Sequence, residues 1–412
     1  MSERKTYKLG ELGTFIGGVS SIKKEDYGHG TPFLPYKNIY KNSKVNINEL
    51  ELMNVKPAEL QRRGCVYGDI FFTASSETPD EVAMSSVLLD KVKNLTFNGF
   101  CKRYRLHDFN TLLPEYARYL FRSPSFRREV YQVATGDIRF NISQESLGKI
   151  EVEIPKIESQ KELATILTSI DDRIELNILM NQTLESMAHA IFKEWFINYN
   201  FPGFDGQLVD DLPKGWRVGP IGTFITVQNG FAFKSSDFKS KGVHGVVKIK
   251  NIANNVVDIV NLQFISDDIV KNTPSRFKIS SGDLLIAMTG AEVGKVGFVP
   301  NTDRSLWLNQ RVGMFKEKIS HAKWFCYLIL SSAEYQSILL STASGSAQPN
   351  ISSSQIENTE IVVPEPKLIE LFGEVVHPIF ERVLENYYQN EILTQTRDSL
   401  LPKLLSGKIK VR

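Results

Sequence analysis

Few stretches of this chain combine residue types at a spacing that chemistry needs. Gly290-Ala-Glu-Val-Gly294-Lys295 comes nearest to a phosphate-cradling loop. It has three residues between its glycines instead of four, and Val296 stands where a magnesium-binding Ser or Thr belongs. A turn between strands is the better reading. Pro79-Asp80 could open a nuclease motif, but the Glu-x-Lys downstream of it is Glu365-Pro-Lys367, 285 residues away. No Asn/Asp-Pro-Pro-aromatic tetrapeptide of an amino-methyltransferase occurs. Nor does a dinucleotide-binding glycine motif or a Gly-x-Ser-x-Gly elbow. Cys65, Cys101 and Cys326 are too few and too scattered for a disulfide framework or a zinc site, and the six histidines are equally dispersed. Bound metal is not expected.

Basic and aromatic patterning remains. Residues 101–139 hold eight basic groups against four acids, with Tyr104, Tyr116, Tyr119, Phe121 and Phe126 interleaved. Lys and Arg release counterions from phosphates, while Arg, Asn and Gln pair with base edges. Candidate DNA contacts in the first half are Lys37, Asn38, Arg103, Arg105 and Arg139. In the second half they are Lys248, Lys250, Asn251, Arg276, Asn309, Gln310 and Arg311. An ordinary solvated face is the competing reading for each of them. The net charge of +2 excludes a histone-like coat, so any such surface is local.

The elements that would carry these residues occur twice. Gly13-Thr14-Phe15-Ile16 returns as Gly222-Thr223-Phe224-Ile225, an offset of 209. Lys37-Asn38-Ile39 returns at 250, Gly68-Asp69 at 282, Asn141-Ile142-Ser143 at 350 and Pro155 at 364. Five words in one order indicate duplication. Alternating runs at 66–73, 149–154, 243–249, 284–288 and 360–363 predict strands, and 114–121 predicts a helix.

Each repeat closes with a long helical pattern, 158–198 and 366–401, the second expected to end or kink at Pro402. In the first, Leu167, Ile170, Ile174, Asn177, Asn181, Leu184, Ala188 and Ile191 follow a three–four spacing. Their counterparts are Val376, Ile379, Val383, Asn386, Asn390, Leu393, Arg397 and Leu400. Such a seam suits a coiled coil, although each could instead pack on its own β-rich domain. Antiparallel pairing about a pseudo-dyad near Leu179 and Tyr388 would set Asn177 opposite Asn390 and Asn181 opposite Asn386.

The predicted class is therefore α+β: two tandem β-rich domains, each followed by a long helix, the helices forming an antiparallel coiled coil with internal pseudo-two-fold symmetry. The boundaries are 1–157 and 216–365 for the domains, 158–200 for the first helix, 201–215 for a linker, and 366–412 for the second helix and tail. At 412 residues and 42 % hydrophobic, the chain can bury such cores. Its start, MSERKTYK, lacks the apolar segment of a secretory signal, and its longest apolar run, 324–330, is far short of a membrane span. A cytoplasmic location is expected.

The words in order resemble the DNA-specificity subunit of type I restriction–modification enzymes over nearly the whole chain. The resemblance rests on Leu212-Pro213-Lys214-Gly215-Trp216, Met288-Thr289-Gly290, Gly294-Lys295-Val296-Gly297 and Leu308-Asn309-Gln310-Arg311-Val312. Asn350-Ile351-Ser352, Phe192-Lys193-Glu194-Trp195-Phe196 and the run from Leu400 to Gly407 complete it. It implies two target-recognition domains reading the halves of a bipartite target in double-stranded DNA, and spacer helices that bind two methyltransferase subunits. Two motor/nuclease subunits join in the restriction form. The resemblance further implies a non-catalytic chain without a cofactor, its partners using S-adenosylmethionine for adenine methylation, and ATP with Mg for cleavage. The first repeat departs from the pattern: Asn98-Gly99-Phe100 replaces Asn309-Gln310-Arg311, and Asp137-Ile138-Arg139 replaces Ser346-Ala347-Gln348. Two alternatives stay open, an orphan DNA-binding scaffold and a self-contained DNA-modifying enzyme with degenerate motifs.

Overall fold

The computed structural model describes residues 4–20, 23–78, 81–136, 140–343 and 349–409. The chain divides into two compact units, residues 1–172 with 393–412, and residues 173–392.

In the first unit an antiparallel sheet runs in the order Gly13–Gly17, Cys101–Leu106, Ile70–Thr73, Ser85–Val87. The strand Ile70–Thr73 is buried on both faces, and the two-residue period of a strand sorts its side chains. Ile70 and Phe72 enter a core with Tyr104, Phe121 and Phe126, while Phe71 enters another with Leu34 and Phe97. Each buried phenylalanine is worth about 1.5–3 kcal/mol. The strand Leu284–Ala287 of the second unit does the same: Leu284 and Ile286 face one core, Leu285 and Ala287 the other.

The duplication extends to topology. Gly13–Gly17 pairs antiparallel with Cys101–Leu106 as Ile225–Asn229 pairs with Val312–Glu317. Arg4–Lys8 pairs with Glu151–Pro155 as Arg217–Pro220 pairs with Glu360–Val363. The recurring Gly-Asp word is a turn. Gly68 and Gly282 take φ of +87° and +75°, and the following Asp69 and Asp283 accept the backbone N–H of Val66 and Ser280, each at 2.8 Å. That turn delays the strand predicted from residue 66 until Ile70.

The long helices are Ile157–Phe196 and Pro366–Leu405, each of 40 residues. The second does not stop before Pro402. Leu404 and Leu405 are buried in the core of the first unit, which holds the last turn helical despite the missing N–H of Pro402. Gly407, at φ +71°, follows its end. The 201–215 segment contains a short hairpin, Leu208–Val209 with Leu212–Pro213, turned by Asp210 and Asp211 in the left-handed region. The glycine-rich 290–295 stretch is a turn between Leu284–Ala287 and Val296–Phe298, as expected. Among the described residues no helix is long and apolar enough to cross a membrane, and no cluster of metal-ligating side chains occurs.

Candidate nucleic-acid interface

The helices supply the frame. In the second unit, Asn177 Nδ2 donates to Asn390 Oδ1 at 2.9 Å, and Asn386 Nδ2 donates to Asn181 Oδ1 at 2.8 Å. Asn177 and Asn386 are wholly buried, and Asn181 nearly so. Asn181 and Asn390 also reach the backbone carbonyls of Val383 and Ile174 on the facing helix. Exchanging the helices by the repeat offset reproduces both pairs. The helices thus run antiparallel here, in one register that gives the buried Nδ2 groups of Asn177 and Asn386 their acceptors, each of which would cost about 1–3 kcal/mol to lose. None of the sixteen seam positions is exposed.

Much of the basic and aromatic stretch of the first unit turns inward, which the prediction did not anticipate, while Arg128 is exposed and Lys102 half-buried. Arg105 holds Asp69 with two hydrogen bonds of 2.7 Å, and Asp69 is fully buried. That bond holds the Arg105 guanidinium above its ordinary pKa, whereas burial lowers that of Arg103. Arg103 donates to the Gly64 carbonyl at 2.6 Å. Arg118 pairs with Asp171 at 2.7 Å. Arg122 gathers the carbonyls of Ile39, Tyr40, Asn42 and Ser85 at 2.7–3.0 Å, and burial lowers its pKa to about 10. Arg127 reaches the Val82 carbonyl. Tyr104, Tyr116, Tyr119, Phe121 and Phe126 are core. Arg103 and Arg105 are therefore both engaged in scaffold contacts, Arg103 buried and Arg105 with its side chain still 37 % exposed.

Asn38 and Asn251 are corrected likewise. Asn38 exchanges hydrogen bonds with the backbone of Asn46, and Asn251 accepts from the Lys248 N–H while donating to the Asn261 carbonyl. Both are buried, which explains the recurring Lys-Asn-Ile word as a structural device. Lys248 is half-buried, its Nζ 3.2 Å above the Phe238 ring, and burial lowers its pKa. Arg139 and the words 137–139 and 346–348 lie outside the described residues, as does Pro79-Asp80.

The surviving exposed candidates are Lys37 in the first unit and Lys250, Arg276, Gln310 and Arg311 in the second, with Asn309 half-buried. Asn309 and its counterpart Asn98 occupy equivalent ledges, each in its own unit. A parallel bridge joins Phe231 to Asn309 and Val19 to Asn98. The preceding Gly230 and Gly18 come so close that a Cβ on either would lie 2.1 Å from that asparagine's carbonyl oxygen. Arg311 extends from the second ledge and donates to Thr289 Oγ1 at 3.2 Å.

Beside the first ledge is a cleft that the sequence did not reveal, of about 450 Å³. Tyr36 and Tyr40 stack at 6.3 Å on the helix Tyr36–Lys41, which also carries exposed Lys37 and Lys41. Tyr36 donates to the Ser75 carbonyl at 2.8 Å; Glu81 accepts from Tyr40 at 2.7 Å and from Ser76 at 3.1 Å. These bonds lower the Glu81 pKa, and the carboxylate raises that of Tyr40. Phe100, 64 % exposed, forms the rim.

The profile of the type I restriction modification DNA specificity domain matches residues 1–186 and 213–372. The type I restriction enzyme MjaIX specificity subunit of Methanocaldococcus jannaschii is 24 % identical over 98 % of this chain and 93 % of its own length. The HindI specificity subunit of Haemophilus influenzae is 25 % identical over 65 % of this chain and 71 % of its own. In fold, the chain is similar to the type I restriction–modification S subunit of M. genitalium, with a TM-score of 0.62 at 16 % identity, covering 98 % and 96 % of the two chains.

Proposed function

The chain belongs to the type I restriction–modification DNA specificity family, and from that membership we propose that it reads an asymmetric, bipartite DNA target for its partner subunits. One observation carries the asymmetry. Equivalent ledges present Asn98-Gly99-Phe100 in one unit and Asn309-Gln310-Arg311 in the other. Two readers of one backbone plan but unlike side chains select unlike half-sites. A 40-residue helix is about 60 Å long, more than one DNA turn of about 34 Å, so an unread gap separates the halves.

The chain itself is non-catalytic and acts in the cytoplasm. Methyltransferase subunits dock on the helices, whose outward positions Leu176, Leu179 and Met187 are each nearly half exposed. Two methyltransferase subunits, using S-adenosylmethionine, modify adenine, and two motor/nuclease subunits cleave unmodified DNA with ATP and Mg.

A map of methylated adenines in the source cell, with and without the gene, tests this. A gapped asymmetric motif that disappears on deletion is expected; an unchanged map overturns active modification. Adding one turn to a spacer helix should alter the gap and leave both half-sites unchanged.

A further inference from the structure

The floor of the first unit's cleft and the anchor of Arg311 in the second are the same place in the repeat. Ser75 pairs with Asn141, and Thr289 bridges Asn350, its repeat equivalent. In the second unit this floor holds a guanidinium, through Thr289 Oγ1. In the first, Ser76, one residue past Ser75 (the equivalent of Thr289), holds a carboxylate through its Oγ. An arginine can only donate, and suits the O6 and N7 acceptors of guanine; an ionised carboxylate can only accept.

Building on the DNA-reading function above, we propose that Glu81 is a specificity-determining residue of the first domain, accepting a hydrogen bond from the exocyclic amino group of a cytosine or adenine in the major groove. Tyr40 and Ser76 each donate to a different Glu81 oxygen and Thr78 adds a third contact, which fixes the carboxylate; of its about four acceptor sites one is left for the base. Phe100 at the rim supplies an apolar wall that keeps water from that bond. Lys37 and Lys41, exposed on the helix that carries Tyr36 and Tyr40, are placed to meet phosphates, offsetting the approach of a carboxylate to DNA. The selectivity follows from the groove pattern. Thymine puts O4 where cytosine has its amino group, and guanine puts O6 where adenine has its own; either oxygen would repel the carboxylate.

Glu81→Gln tests the assignment, because an amide of the same size donates as well as accepts. The readout is the adenine-methylation motif of the source cell carrying the variant gene, with all partner subunits present. One position in one half-site should change from cytosine to cytosine-or-thymine, or from adenine to adenine-or-guanine. Which of the two appears identifies the base. The preference lost there should be about 5- to 150-fold, and the other half-site should not change. A motif unaltered at every position overturns the role of Glu81. If Glu81→Gln abolishes methylation, Tyr40→Phe decides, since it loosens the carboxylate without removing it. Partial degeneracy at one such position supports the assignment, and an unaltered motif overturns it. If the natural chain directs no gapped motif at all, the DNA-reading function fails first and this assignment falls with it.

Discussion

The two units solve one burial problem with opposite chemistry. Asp171 on the first helix and Phe380 on the second are repeat equivalents, each facing the short helix of its own domain. In the first unit, Asp171 accepts from Arg118 at 2.7 Å, Tyr119 at 2.8 Å and Arg397 at 2.8 Å. In the second, Phe380 lies flat on Trp324 at 4.5 Å and meets the edge of Tyr327 at 5.4 Å and the tilted ring of Phe298 at 5.6 Å. The seam position of Arg397 is filled there by Ala188. An aromatic joint depends on shape and area. A buried ionic joint works only while every charge has its partner.

The largest effect should therefore come from Asp171→Ala. It strands Arg118, whose side chain is 10 % exposed, and should destabilise the first unit by about 3–5 kcal/mol, measured by denaturant unfolding. Phe380→Ala should cost the second unit a similar amount through its cavity, about 3–5 kcal/mol. The contrast lies in the repair. Replacing Asp171, Arg118 and Arg397 together by Phe, Leu and Ala should restore stability or add up to about 4 kcal/mol. No such exchange rescues Phe380→Ala by adding charge. A cost for Asp171→Ala below that of an ordinary surface change would break the comparison.

These joints also show what a sequence can reveal. The duplication, the long helices and the asparagine seam were legible because their signals are local or strictly periodic. The orientation of the arginines was not. Asp69 lies 36 residues before Arg105, and Asp171 lies 53 residues after Arg118, so the counter-charges that draw them inward fall outside any local window. A basic, aromatic stretch thus reads as a nucleic-acid surface when much of it is scaffold. The Glu81 cleft escaped for the same reason, being assembled from Tyr36, Ser75, Glu81 and Phe100. The helix end at Leu405 depended on tertiary burial of Leu404 and Leu405, which no rule about Pro402 contains.

The seam asparagines come next in size. Asn181→Ala leaves the Asn386 amide without its partner and should cost about 1–3 kcal/mol. Asn390→Ala, its repeat equivalent, should cost less, because Asn390 is only half-buried and the Asn177 amide it leaves can still reach Gln389 at 3.4 Å. Equal costs would show that the repeat symmetry of the seam extends to its energetics. Replacing Asn181 and Asn386 together by Leu should regain stability while removing the polar marker of register.

The smallest effect tests the aromatic joint from the side. Glu185 lies near Tyr327 and Tyr387, and its repeat equivalent is the uncharged Thr394. Burial raises its pKa, since the charged form loses hydration against those rings. A carboxyl raised in the folded state opposes folding wherever it is ionised. The penalty is full at neutral pH, shrinks as pH falls through the raised pKa, and vanishes below the ordinary glutamate value. Glu185→Gln should therefore stabilise the second unit at neutral pH, by less than any change above, with the gain fading as pH falls toward 4.5. The same scan on Thr394→Gln in the first unit should show no such pH dependence. A gain that persists at low pH would mean that Gln packs better there, and the joint would owe nothing to the exclusion of charge.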